Sequence, residues 1–168
     1  RGTVRVSPVP IQLAWDRSIL KEGWSKSEIT EEYGDFVWAT GKSATLSFNS
    51  RRFPADLTEI LFRARPYMYA DSPPQMLQAF WNNQTVAEFQ ITPGWNEYKI
   101  SLPPDPGHGS ANLLRFEFSY SARPIEVTPP STDNRELSVA FQTMTIPQAY
   151  FYSKLDGETK ESLVLGPA

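Results

Sequence analysis

A two-residue alternation of apolar and polar side chains governs what this chain can become. At 112–120, Leu114, Phe116, Phe118 and Tyr120 alternate with Arg115, Glu117 and Ser119. The same beat runs through 43–49, where Ala44, Leu46 and Phe48 oppose Thr45, Ser47 and Asn49. It recurs at 57–65 (Ile60, Phe62 and Ala64 against Glu59, Arg63 and Arg65) and at 95–102 (Tyr98, Ile100 and Leu102 against Glu97, Lys99 and Ser101). Period two turns one set of side chains to a core and the other to water, as antiparallel sheets do.

Less regular segments fill in the rest. Residues 75–81 and 84–91 flank Asn82-Asn83, and asparagine tolerates the positive φ of a tight hairpin turn. Residues 136–146 begin with Leu137, Val139 and Phe141 inward, then change face to Met144 and Ile146. A bulge near Gln142-Thr143 accounts for that switch. Further strands are expected near 10–15, 18–22 and 36–40. Lys26–Tyr33, with Ser27 as a possible N-cap, reads as one or two helical turns. Turn signals every ~8–12 residues fit a sandwich. The fold predicted is all-β, an antiparallel jelly-roll β-sandwich of about eight to ten strands with little helix; a closed barrel is the other arrangement. Residues 1–146 are assigned to the sandwich and 147–168 to an edge strand or a flexible C-terminal tail.

Composition narrows the partners. The net charge of the 168-residue chain is −3, with no basic stripe, which argues against nucleic acid. No apolar run approaches the ~18–20 residues needed to cross a bilayer, so no membrane insertion is expected. With 0 cysteines, disulfides, thiolate nucleophiles and Cys-based zinc sites are excluded. The chain opens at Arg1 without a leader, which we read as a segment cut from a longer protein.

If each strand crosses the sandwich once, loops 66–74, 92–94 and 121–135 share one end. Loops 50–56, 82–83 and 103–111 share the other, carrying Arg51, Arg52, Asp105 and His108. The first end is richer in aromatics and is the expected site. Its candidate ligand-binding residues are Tyr67, Tyr69, Asp71, Trp95, Arg123, Asp133 and Arg135. Tyr and Trp stack on the flat C–H faces of sugar rings, while Asp and Arg hydrogen-bond hydroxyls. Each such ring has the competing role of capping the core, and Asp133 with Arg135 has the competing role of bracing its loop. Trp15, Trp24, Trp38 and Trp81 are expected in the core or half-buried rather than facing a ligand. Asp71, Asp105 and Asp133 are the oxygens a calcium ion would use, but no EF-hand spacing joins them, so no cofactor is expected. His108, the single histidine, sits between glycines as a turn residue. No Gly-x-Ser-x-Gly elbow is present and no carboxylate pair stands out, so no catalytic residue is assigned.

Several runs carry a family resemblance. Gly23-Trp24, then Trp38 with Gly41-Lys42-Ser43-Ala44-Thr45-Leu46, open it. Gln78-Ala79-Phe80-Trp81-Asn82-Asn83, Gly94-Trp95-Asn96-Glu97-Tyr98 with Leu102-Pro103, and Asn112-Leu113-Leu114-Arg115-Phe116 continue it, and Asp133-x-Arg135-x-Leu137 closes it. Together they resemble galactose-binding-like, carbohydrate-binding-module-like jelly rolls of bacterial exported or membrane-associated proteins. The resemblance implies a non-catalytic module that binds glycan or positions a neighbouring domain of the same protein, in an extracellular or periplasmic setting. Fold alone does not give function. A structural or protein-interaction sandwich, and a small jelly-roll hydrolase or lyase, remain the alternatives.

Overall fold

The computed structural model describes residues 10–53, 57–104 and 111–146. The alternating segments become ten strands: β1 (Pro10–Gln12), β2 (Glu28–Thr30), β3 (Gly34–Thr40), β4 (Ser43–Asn49), β5 (Glu59–Pro66), β6 (Gln75–Trp81), β7 (Gln84–Ile91), β8 (Asn96–Ser101), β9 (Ala111–Phe118) and β10 (Leu137–Thr145). One helical turn, α1 (Pro124–Val127), starts on a proline whose missing N–H costs nothing there. Every pairing is antiparallel. A six-stranded sheet runs β2-β3-β10-β5-β8, with β1 also on β10, and a four-stranded sheet runs β4-β9-β6-β7. This is the expected jelly-roll sandwich.

Its core is built from the inward set of each strand. Phe62 sits at the centre, with ring centroids of Phe116 and Phe141 at 5.3 and 5.5 Å, and Phe116 stacks on Phe141 at 5.2 Å. Leu46, Ile60, Leu77, Ile100 and Leu114 are fully buried around them. Burying one such side chain contributes ~1.5–3 kcal/mol.

Local chemistry explains the turns. Asn82 and Asn83 have φ of 50° and 69°, so the β6–β7 hairpin forms as the sequence predicts. Pairing of β10 with β5 shifts register between Phe141 and Thr143, where the bulge was expected. The 18–22 segment is not a full strand. It lies along β4 through one bridge, Leu20 to Leu46, and backbone bonds from Lys21 to Thr45 and from Thr45 to Glu22.

The helix expected at 26–33 does not form. Glu28–Thr30 pairs with β3 instead. Thr30 Oγ1 donates to the Gly34 carbonyl at 2.8 Å and accepts from the Tyr33 N–H at 2.9 Å, and Gly34 has φ of 75°. A threonine-closed turn at a left-handed glycine offers these backbone groups partners that a helix would otherwise supply. Trp15 also departs from expectation. It is 68% exposed, in the turn after β1, and its Nε1 donates to Asp35 at 2.6 Å. Its neighbours Leu13 and Ala14 take the inward places. Expectations that fall on 147–168, Asp105 or His108 lie outside the described residues.

Candidate functional site

The outer face of the six-stranded sheet carries its own aromatic layer. On β3, Val37 and Ala39 point to the core, which leaves Phe36 and Trp38 on the outside. On β5, Ala64 points inward, so Arg65 and the following Tyr67 face outward. Trp95 precedes β8 with the outward parity of Glu97 and Lys99. Between them runs β10, where Ala140 pairs with Trp38 on one side and Arg65 on the other. A methyl group between large neighbours leaves a trough. The result is a cleft of about 370 Å³, with Ala140 in its floor and Trp38, Arg65, Tyr67 and Trp95 in its walls.

The burial along β10 records this layer. Residues 137–141 are all buried, on both faces of the strand. Inward burial comes from the core. Outward burial of Ala140 comes from the aromatic cover, while the buried Ser138 donates its hydroxyl to the Ala39 carbonyl at 3.0 Å. Phe36 bridges it, edge-on to Trp38 at 5.8 Å and to Trp95 at 5.6 Å, and Trp38 meets Tyr67 at 5.9 Å. The Trp95 Nε1 is buried with no protein hydrogen-bond partner, a donor left unpaired by this packing.

The walls are held in place by hydrogen bonds beneath them. The Tyr67 N–H donates to the Ser138 carbonyl at 2.9 Å, and its phenol is bonded to the Thr128 hydroxyl. Tyr120, just beyond β9, donates its phenol to the Tyr67 carbonyl at 2.5 Å. Burial pushes the Tyr120 phenol above the ordinary tyrosine range, so it remains a donor. Gln75, itself buried, binds both the N–H and the carbonyl of Tyr120. The 92–94 turn is tied by Asn96 Nδ2, which donates to Thr92 Oγ1 and the Pro93 carbonyl at 3.1 Å each. Tyr98 accepts from the Thr92 N–H at 2.8 Å.

The expected site residues divide into two groups. Tyr67 and Trp95 are brought together in the cleft. Tyr69 lies behind Tyr67, with ring centroids 6.2 Å apart and Tyr120 at 6.0 Å, and Asp71 occupies an exposed left-handed turn position at φ 65°. Arg123, Asp133 and Arg135 brace the 121–135 loop. Arg135 pairs with Asp133 and Glu28, both at 2.7 Å, and Arg123 pairs with Glu136 at 3.2 Å. The Arg135 guanidinium holds the Asp133 carboxyl below the usual carboxylate range, and the two carboxylates in turn raise the arginine.

Trp38 is half-buried, as the sequence predicts, but the sequence does not single it out as the cleft wall that it forms. Phe36, Arg65 and Tyr33 were not singled out either. The 36–39 run is apolar on both parities, so alternation alone does not tell its faces apart. Among the described residues, no group of three or more His, Cys, Asp or Glu side chains is placed to hold a metal. No described helix is long and apolar enough to cross a membrane.

No protein-family model matches this chain, and no curated protein matches its sequence. Its fold does have solved counterparts. An acetyl xylan esterase from the rumen bacterium Butyrivibrio proteoclasticus matches 89% of this chain with a TM-score of 0.50 at 8% identity, and the chain spans 34% of that protein. The CBM36-1 domain of a multidomain xylanase from the hindgut metagenome of Trinervitermes trinervoides matches 86% of it, over 99% of its own length, with a TM-score of 0.49 at 11% identity. A carbohydrate-binding module of Cellvibrio mixtus lichenase 5A, solved with cellotriose, matches 86% over 99% of its length, with a TM-score of 0.47 at 13% identity. At such identities the likeness is one of fold.

Proposed function

We propose that this chain is a non-catalytic carbohydrate-binding module whose ligand lies in the cleft on the outer face of the six-stranded sheet. The observation that carries this reading is the cleft itself. Trp38, Tyr67 and Trp95 stand around a small-residue floor, in a space of about 370 Å³ that suits a sugar ring. Aromatic rings offer the flat apolar surface that stacks on sugar C–H faces. They are fixed by Tyr120, Ser138 and Asn96, so little entropy is lost on binding.

The same cleft argues against a hydrolase. Its described lining holds no carboxylate and no histidine. Glycoside hydrolysis on the usual plan needs two carboxyl groups flanking the bond. The setting we infer is outside the cytoplasm, as an accessory unit beside other domains of a longer protein.

A glycan array tests the reading, probed with the chain and with Trp38→Ala and Trp95→Ala. The wild-type chain should bind a defined set of glycans, and each variant should lose about 10-fold or more in affinity while keeping its circular dichroism. An array blank for the wild type overturns the reading. Binding that survives both substitutions moves the site elsewhere.

A further inference from the structure

Arg65 keeps its guanidinium clear of the protein acceptors that hold most of the described arginines. Arg17 donates to the Ser25 carbonyl and Ser27, Arg52 pairs with Asp16, and Arg63 donates to Gln142. Arg115 pairs with Glu117, and Arg135 with Asp133 and Glu28. Each spends its fork on protein acceptors. Arg65 instead lies over the Tyr33 ring, its Cζ 4.4 Å from the centroid, and among the described residues has no hydrogen-bonded or ion-paired partner.

The surroundings keep it that way. On β10 its paired residue is Ala140, and on the β8 side it lies one step beyond the Ala64–Asn96 pair, beside Trp95. Arg63, one repeat earlier on the same face, sits opposite Glu97. Arg65 is the sole charged side chain in the described lining of the cleft. Stacking on Tyr33 holds the guanidinium while leaving its in-plane N–H donors unspent.

We propose that the cleft selects a sugar residue bearing a carboxylate, a uronic acid, with Arg65 as the group that reads it. This rests on the glycan-binding reading above. Trp38, Tyr67 and Trp95 take the ring, and the planar Arg65 fork takes the carboxylate through paired N–H···O bonds, a match of two flat groups. The aromatic walls exclude water around the contact, which strengthens it. A neutral sugar offers those donors only uncharged hydroxyl oxygens, which make weaker bonds than a carboxylate and do not match the planar fork, and the described cleft lining has no carboxylate of its own to occupy it.

The test is calorimetric titration of the intact chain with gluco-, galacto- and mannuronate trisaccharides, each beside its methyl ester. Esterification removes the charge and keeps the ring. At least one acid should bind about 10-fold or more tightly than its ester. Added salt should weaken the acid selectively. Arg65→Gln should bring the acid down to the ester's affinity, and Arg65→Lys should restore part of the difference, with unchanged melting temperatures in both variants. Equal affinity for acids and esters overturns the uronic-acid proposal and leaves glycan binding standing, as does a preference for neutral or O-sulfated trisaccharides run in parallel. If no member of any set binds, the glycan reading falls with it.

Discussion

Gly23 shows how much one residue decides. Its φ is +90°, and a Cβ there would lie 2.2 Å from the Ser43 carbonyl oxygen and 2.8 Å from Ala44 Cα. The backbone of 20–24 runs against β4 with no room for a side chain. That approach lets the Trp24 Nε1 donate to the Thr45 carbonyl at 2.8 Å and brings its ring to Phe141 at 5.3 Å. The Gly23-Trp24 pair in the sequence is therefore a packing device. Gly23→Ala combines a left-handed backbone with a backbone clash, and should cost about 2–4 kcal/mol. Urea denaturation reads this as a lower midpoint with an unchanged slope; an unchanged midpoint would mean that the contact gives way freely.

At the scale of elements, the cleft is only as firm as the segments that carry it. The 66–74 loop is fastened from below by Tyr120, just beyond β9, and by Ser138 of β10. Tyr120→Phe removes one donor and leaves the Tyr67 carbonyl short of a partner. Stability should fall by about 0.5–1.5 kcal/mol. Amide hydrogen exchange should rise within 67–72 and not in the core strands. A uniform rise across both sheets would show that Tyr120 supports the whole fold rather than the loop. Strands β4, β5, β8 and β9 were legible because one face of each is polar. The turn at 30–34 was not. Its threonine–glycine closure competes with the helix signal that begins at Ser27, and only pairing to β3 decides between them.

At the scale of the whole molecule, the site is a product of strand order. Trp38, Ala140, Arg65 and Trp95 come from β3, β10, β5 and the start of β8, four neighbours in the sheet that are scattered along the chain. The loop pattern points to the end that carries the cleft and names two of its rings, Tyr67 and Trp95. It assigned Arg123, Asp133 and Arg135 to the same site, although their charges are spent on Glu136, Glu28 and each other's loop. It missed Trp38 and Arg65 because strand order is long-range information, absent from any local window. A sandwich exposes two outer faces, and this one covers part of one face with aromatics beyond what the core needs. Ligand is proposed to sit on this covered face. The direct measurement is a two-dimensional 1H–15N NMR titration of the chain with a mixture of neutral and uronic-acid trisaccharides. The indole N–H signals of Trp38 and Trp95 and the amides of Arg65, Tyr67, Met68 and 138–141 should shift together and saturably. Shifts centred instead on Phe80 and Arg115, on the outer face of the four-stranded sheet, would contradict it, as would a spectrum that does not move.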